Sequence, residues 1–108
     1  MTDALAVLVT APTFEKAAEM ARTVVQERLA ACGNVLPGVR SIYRWEGKIV
    51  DEPEVLLILK TSRELFPRLR DRVLELHPYQ VPEVVALPVE EGSAAYLRWI
   101  AESLAPTA

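Results

Sequence analysis

The amino-acid sequence predicts an α+β domain in the order β-α-β-β-α-β with a further helix at its C-terminal end, and three observations predict it. Short apolar runs at Ala4–Thr10, Val55–Leu59 and Pro82–Leu87 are interleaved with two stretches of helical apolar spacing. A Gly-bearing turn, Glu46-Gly47-Lys48, separates two long extended segments in the middle of the chain. Apolar residues make up 51% of the 108, enough for one core without disulfide or metal staples. No repeat, linker or low-complexity stretch divides the chain, so residues 1–108 are expected to form a single domain. This order is the ferredoxin-like sandwich, an antiparallel sheet with both helices on one face.

Each element has a local cause. Ala4–Thr10 is continuously apolar, as suits a strand covered on both faces. Thr13 is placed to cap the first helix, and Glu15 sits at the positive end of its dipole. Phe14, Ala17, Ala21, Val24 and Leu29 recur down one face, predicting a helix to about Ala30. Val35 to Trp45 is extended, with a kink or bulge at Pro37-Gly38. Lys48 to Thr61 returns, and Pro53 predicts an edge or a bulge in that stretch. Thr61 and Glu64 have capping-box spacing for the second helix, although Pro67 moves its start toward Arg63–Phe66. Leu65, Leu69, Val73 and Leu76 form its buried stripe, and His77-Pro78 stops it. Pro82–Leu87 is the last strand, and Gly92-Ser93 opens a helix bearing Tyr96, Trp99 and Ile100.

Two features predict self-assembly. Leu56, Leu57, Ile58 and Leu59 are apolar on both parities, so both sheet faces need cover, and the terminal helix is too small to supply the second. The extended segments of the hairpin span roughly 35–45 Å at about 3.3 Å per residue. A compact chain of this length has a diameter of roughly 34 Å, so the ribbon should overhang its own body. Its exposed Tyr43, Trp45 and Ile49 then call for a partner, and closed symmetric assembly is expected.

Composition excludes several function classes. Twelve Lys and Arg against fifteen Asp and Glu give a net charge of −3 with no basic block, which excludes phosphate-tracking nucleic-acid binding. The N-terminal apolar stretch is too short for a signal peptide or a membrane span, so no membrane partner and a cytoplasmic location are expected. One cysteine, Cys32, leaves no internal disulfide. Ser41, Ser62 and Ser93 carry no activation signal, and no phosphate-binding glycine pattern occurs, so no enzyme is expected.

Five segments, in order, carry a family resemblance: Glu27-Arg28-Leu29-Ala30-Ala31-Cys32, Ser41-Ile42-Tyr43-Arg44-Trp45-Glu46-Gly47, Leu59-Lys60-Thr61, His77-Pro78-Tyr79-Gln80-Val81-Pro82-Glu83 and Tyr96-Leu97-Arg98-Trp99. Together the chain resembles the CutA divalent-cation tolerance family. That resemblance implies a ferredoxin-like homotrimer held by intersubunit strand pairing, linked to tolerance of copper and other divalent metals, with no established reaction.

Two constellations carry candidate chemistry. Copper and zinc favour thiolate and imidazole, and the chain owns one of each, Cys32 and His77; Glu83, Glu90 and Glu91 are candidates to complete a site shared between subunits. Against that, Cys32 suits a small buried hydrophobe and His77 a helix-end cap. Some relatives proposed to bind copper have a thiol where this chain has Val9 and a second histidine where it has Leu76. The second constellation is Lys60, Tyr79, Glu83 and Trp99, with Tyr43, Arg44 and Trp45, which suits a small anion or carboxylate ligand or else a packed subunit interface. The alternative function is a small-molecule sensor or adaptor resembling the PII signalling trimers.

Overall fold

The computed structural model describes residues 2–107. The elements follow the predicted order: β1 (Ala4–Ala11), α1 (Phe14–Gln26), β2 (Cys32–Trp45), β3 (Lys48–Ser62), α2 (Phe66–Leu76), β4 (Val84–Pro88) and α3 (Ala94–Ser103). They form one four-stranded antiparallel sheet in the order β2-β3-β1-β4.

α1 begins as its sequence dictates, with Thr13 Oγ1 accepting a hydrogen bond from the Lys16 N–H at 3.1 Å. It stops four residues short of the predicted Ala30. Arg28 takes a left-handed φ of 60°, and the reversed chain lets the N–H groups of Leu29 and Ala30 both donate to Val24 O. Leu29 and Ala30 remain buried, so the apolar spacing outlasts the helix. The predicted capping box at α2 does not form either. Thr61 is fully buried in β3, where its hydroxyl donates to Leu29 O at 2.7 Å. Ser62 Oγ accepts instead from the Leu65 N–H, one residue before α2 opens.

One sheet face holds the core. Val7, Val9, Leu57 and Leu59 are fully buried in one cluster with Met20, Val24, Leu69 and Val73 of the helices. Gly33 passes close beneath α1; a Cβ there would stand 2.9 Å from the Ala21 Cβ. On the other face, Leu8, Leu56 and Ile58 are half-buried while Leu36, Val85 and Leu87 are exposed. α3 sits against one end of the sheet, burying Ile100 and Leu104, and leaves most of that second face uncovered. The Arg28 guanidinium ties the end of α3 down by donating to Glu102 O and Ser103 O.

β2 and β3 outrun the body, as their length predicts. β1 pairs with β3 only from Val55 to Ser62, so Lys48–Glu54 is paired with β2 alone. The pairing register shifts between Leu36 and Val39, where Gly38 has a φ of 88°. Pro53 lies in this two-stranded ribbon, where β3 is itself an edge. The ribbon closes through Glu46 and Gly47, both at positive φ, as a two-residue hairpin turn requires. The chain therefore measures 43 × 26 × 22 Å, with a radius of gyration of 14.4 Å against about 13 Å for a compact chain of this length.

Candidate functional site

A half-open cavity of about 460 Å³ lies where the ribbon leaves the body. Its walls follow from strand alternation. Ser41 pairs with Glu52 and Val39 with Glu54, so Ser41, Tyr43 and Trp45 share one ribbon face with both glutamates. The loop between α2 and β4 closes the other side with Tyr79, Val81 and Glu83.

His77 holds that loop in place. The Tyr79 backbone N–H donates to His77 Nδ1 at 3.2 Å. The proton therefore resides on Nε2, which donates to Thr10 O at 2.7 Å. The His77 and Tyr79 rings pack with centroids 4.6 Å apart. A buried imidazole with both nitrogens engaged has to surrender one bond before it can take a metal ion.

Both tyrosine hydroxyls in the cavity are committed to carboxylates. Tyr43 donates to Glu52 Oε1 at 2.5 Å, and Tyr79 donates to Glu54 Oε2 at 2.6 Å. The bond to Glu52, helped by burial and by the charges of Glu52 and Glu54, pushes the Tyr43 phenol up to about 12. Burial first, then the bond to Glu54 and the surrounding negative charge, raises Tyr79 further still. Three glutamates, Glu52, Glu54 and Glu83, line the cavity, and none of the lining residues is a lysine, arginine or histidine.

A second cluster forms at the other end of the sheet. Cys32 Sγ lies 3.6 Å from the Tyr96 hydroxyl, and that contact raises the Tyr96 phenol. Tyr96 stacks on Trp99 at 5.6 Å. The Lys60 ammonium lies 5.9 Å from the Tyr96 ring centroid and donates to Asn34 Oδ1.

The structure thus divides the residues singled out from sequence. Tyr43, Trp45, Tyr79 and Glu83 share the cavity. Lys60 and Trp99, predicted beside Tyr79 and Glu83, stand within one chain at the opposite end, on Tyr96. Arg44 alternates onto the other face of the ribbon. Cys32 pairs with Lys60 on β3, whereas His77 bonds Thr10, whose β3 partner is Leu56. Four residues along a strand is about 13 Å, so one copy does not bring thiol and imidazole to one ion. Among the described residues no three of His, Cys, Asp and Glu stand together as a metal centre. Glu90 and Glu91 are exposed beyond β4. Glu52, Glu54 and Tyr96 were not among the site residues expected from the sequence, although Tyr96 lies in one of the family segments. The i, i+2 spacing of the two glutamates on a strand, and the i, i+3 spacing of Tyr96 and Trp99 on a helix, were the available signals.

Fold and site define a ferredoxin-like α+β domain with an overhanging ribbon and an acidic, tyrosine-walled cavity at its root. The family model described as CutA1 divalent ion tolerance protein matches residues 5–103, and the chain belongs to that family. It is 53% identical over 97 residues to the divalent-cation tolerance protein CutA of Thermus thermophilus, covering 90% of this chain and 94% of that one. It is 52% identical over 95 residues to human protein CutA, covering 88% of this chain but only 53% of the human one, so it spans about half that relative's length. Among solved structures, CutA1 from Oryza sativa superposes with a TM-score of 0.94 at 40% identity, covering 98% of this chain and 97% of that one. The divalent cation tolerance protein from Thermus thermophilus gives 0.92 at 50% identity, covering 94% and 99%.

These comparisons correct one expectation. Similar proteins are described as periplasmic, in Archaeoglobus fulgidus, and as chloroplastic, in Arabidopsis thaliana. The cytoplasmic placement does not stand, because the features that define this domain occur in relatives assigned to other compartments. No helix among the described residues is long and apolar enough to cross a membrane.

Proposed function

We propose that the chain is a homotrimeric binding protein, not an enzyme, that contributes to divalent-cation tolerance by holding copper or another divalent ion weakly between subunits. One observation carries the assembly: the ribbon projects beyond its body with Ile42 64% and Ile49 63% exposed. Apolar surface of that kind calls for a partner, and an overhanging arm reaches a neighbouring copy more readily than its own core. Sharing between copies is also the arrangement under which Cys32, His77 and Glu83 serve one ion, since Cys32 stands apart from His77 within a chain. Val9 is buried and Leu76 half-buried at the two positions where relatives supply further donors, which keeps affinity low.

Sedimentation velocity together with titration calorimetry using Cu(I), Cu(II) and Zn(II) tests both parts. A trimer with a saturable heat reduced by His77→Ala or Cys32→Ala is expected. A stable 12.0 kDa particle removes the shared site, and heats indifferent to both substitutions remove these donors. The sensor reading gains no observation: the ribbon closes in a two-residue turn, leaving no loop there to clasp a nucleotide.

A further inference from the structure

We infer that the uncovered sheet face makes a head-to-tail contact between copies, in which Lys60 of one copy docks at the acidic ribbon root of the next. The inference rests on the homotrimer proposed above and names the groups that one copy brings to another. Strand alternation lays out the face. Leu57 and Leu59 of β3 point into the core, so Glu52, Glu54, Leu56, Ile58 and Lys60 alternate onto the opposite side. Followed along the strand, that side is acidic at one end, apolar in the middle and basic at the other. Among the described residues, neither Lys60 nor Glu52, Glu54 or Glu83 belongs to an ion pair. Glu54 and Lys60 lie about 20 Å apart along β3, so the two ends of one chain do not neutralise each other.

Between copies the two ends fit. The apolar middle, half-buried Leu8, Leu56 and Ile58 beside exposed Val85 and Leu87, calls for cover that α3 does not supply. A copy that covers it also takes the flanking charges out of water, and a charge so enclosed needs an opposite one. Acid set against acid would oppose docking, whereas Lys60 set against the glutamates favours it and fixes the register. Every contact in a ring of three is heterologous, so each copy turns its basic end to one neighbour and its acidic end to the other. Both ends are prepared. The Lys60 ammonium donates to Asn34 Oδ1 at 3.2 Å and lies 5.9 Å from the centroid of Tyr96, which stacks on Trp99. On the receiving side the Tyr43 and Tyr79 hydroxyls hold Glu52 and Glu54 in place. Little side-chain ordering therefore remains on docking.

Sedimentation of the full chain over a dilution series, at a fixed urea concentration below the unfolding transition, tests the contact. Added salt should favour dissociation of the wild-type assembly. Lys60→Met should weaken each contact about tenfold, the effect of one charge-assisted hydrogen bond, and reduce that salt dependence. Lys60→Arg, which keeps the charge, should retain most of the assembly. Glu52→Gln combined with Glu83→Gln should weaken it as well, and adding Lys60→Met to that pair should cost less than it does in the wild type. Assembly unchanged in Lys60→Met, or losses that simply add in the combined variant, overturns the inference while the trimer stands. A wild-type chain that sediments as a monomer without urea overturns the trimer and the contact together.

Discussion

The two halves of β3 belong to different environments. From Val55 to Ser62 the strand pairs with β1, and from Leu56 to Lys60 with β2 as well, and its inward residues Val55, Leu57, Leu59 and Thr61 are buried. From Lys48 to Glu54 it has β2 alone, and Ile49 is 63% exposed. Both halves hold extended backbone, although Asp51, Glu52, Pro53 and Glu54 make the outer half the poorer strand former. What differs is the number of neighbours, so burial here is a property of the surroundings rather than of the strand. The body stabilises its own fold, whereas the ribbon holds apolar surface that its own chain does not cover.

That contrast is open to attack at both ends. Leu57→Ala, in the body, should cost the isolated chain about 2–5 kcal/mol, read as a lower urea midpoint at unchanged slope. Thr61→Val should follow at about 1–3 kcal/mol, because Leu29 O would be left buried without its donor; Thr61→Ser, which keeps the hydroxyl, should recover most of it. Ile42→Ser combined with Ile49→Ser, in the ribbon, should change chain stability at high dilution by less than about 0.5 kcal/mol. The same pair should lower the mass seen in sedimentation, and make the thermal midpoint less dependent on concentration. A double variant that unfolds dilute chains as severely as Leu57→Ala would erase the distinction between body and ribbon.

The smallest effect is a titration within the ribbon. Tyr43 is held protonated by Glu52, so its folded pKa lies above its unfolded one, at about 12 against 10.0. Such a group contributes stability that is fully present below the unfolded value of 10.0 and is lost as pH rises toward about 12. Phenolate absorbance should therefore show Tyr43 ionising late, and Glu52→Gln should bring it back toward the ordinary value. An unchanged titration in Glu52→Gln would show that the hydroxyl is not held as described.

Legibility from sequence followed the range of the forces. Thr13 and the Pro37-Gly38 kink were readable because each acts within a few residues. The end of α1 was not, because Leu29 and Ala30 keep helical spacing while the left-handed Arg28 sends the chain back to the same core. Thr61 looked like a helix cap, yet its acceptor proved to be Leu29 O, 32 residues away. The candidate site was half legible. Tyr43, Trp45, Tyr79 and Glu83 do line one cavity, while Lys60 and Trp99 were grouped with them and lie at the far end of the sheet within the chain.

By itself the sequence determined the order of elements, the length of the ribbon and the need to cover two apolar sheet faces, because periodicity and strand rise are local quantities. Only the tertiary structure decided that Glu52 and Glu54 meet Tyr43 and Tyr79 in one negative cavity, that His77 commits both nitrogens to Thr10 and Tyr79, and that Cys32 belongs with Tyr96. Those pairings depend on strand register and on the path of a loop, which are set by packing summed over the whole core.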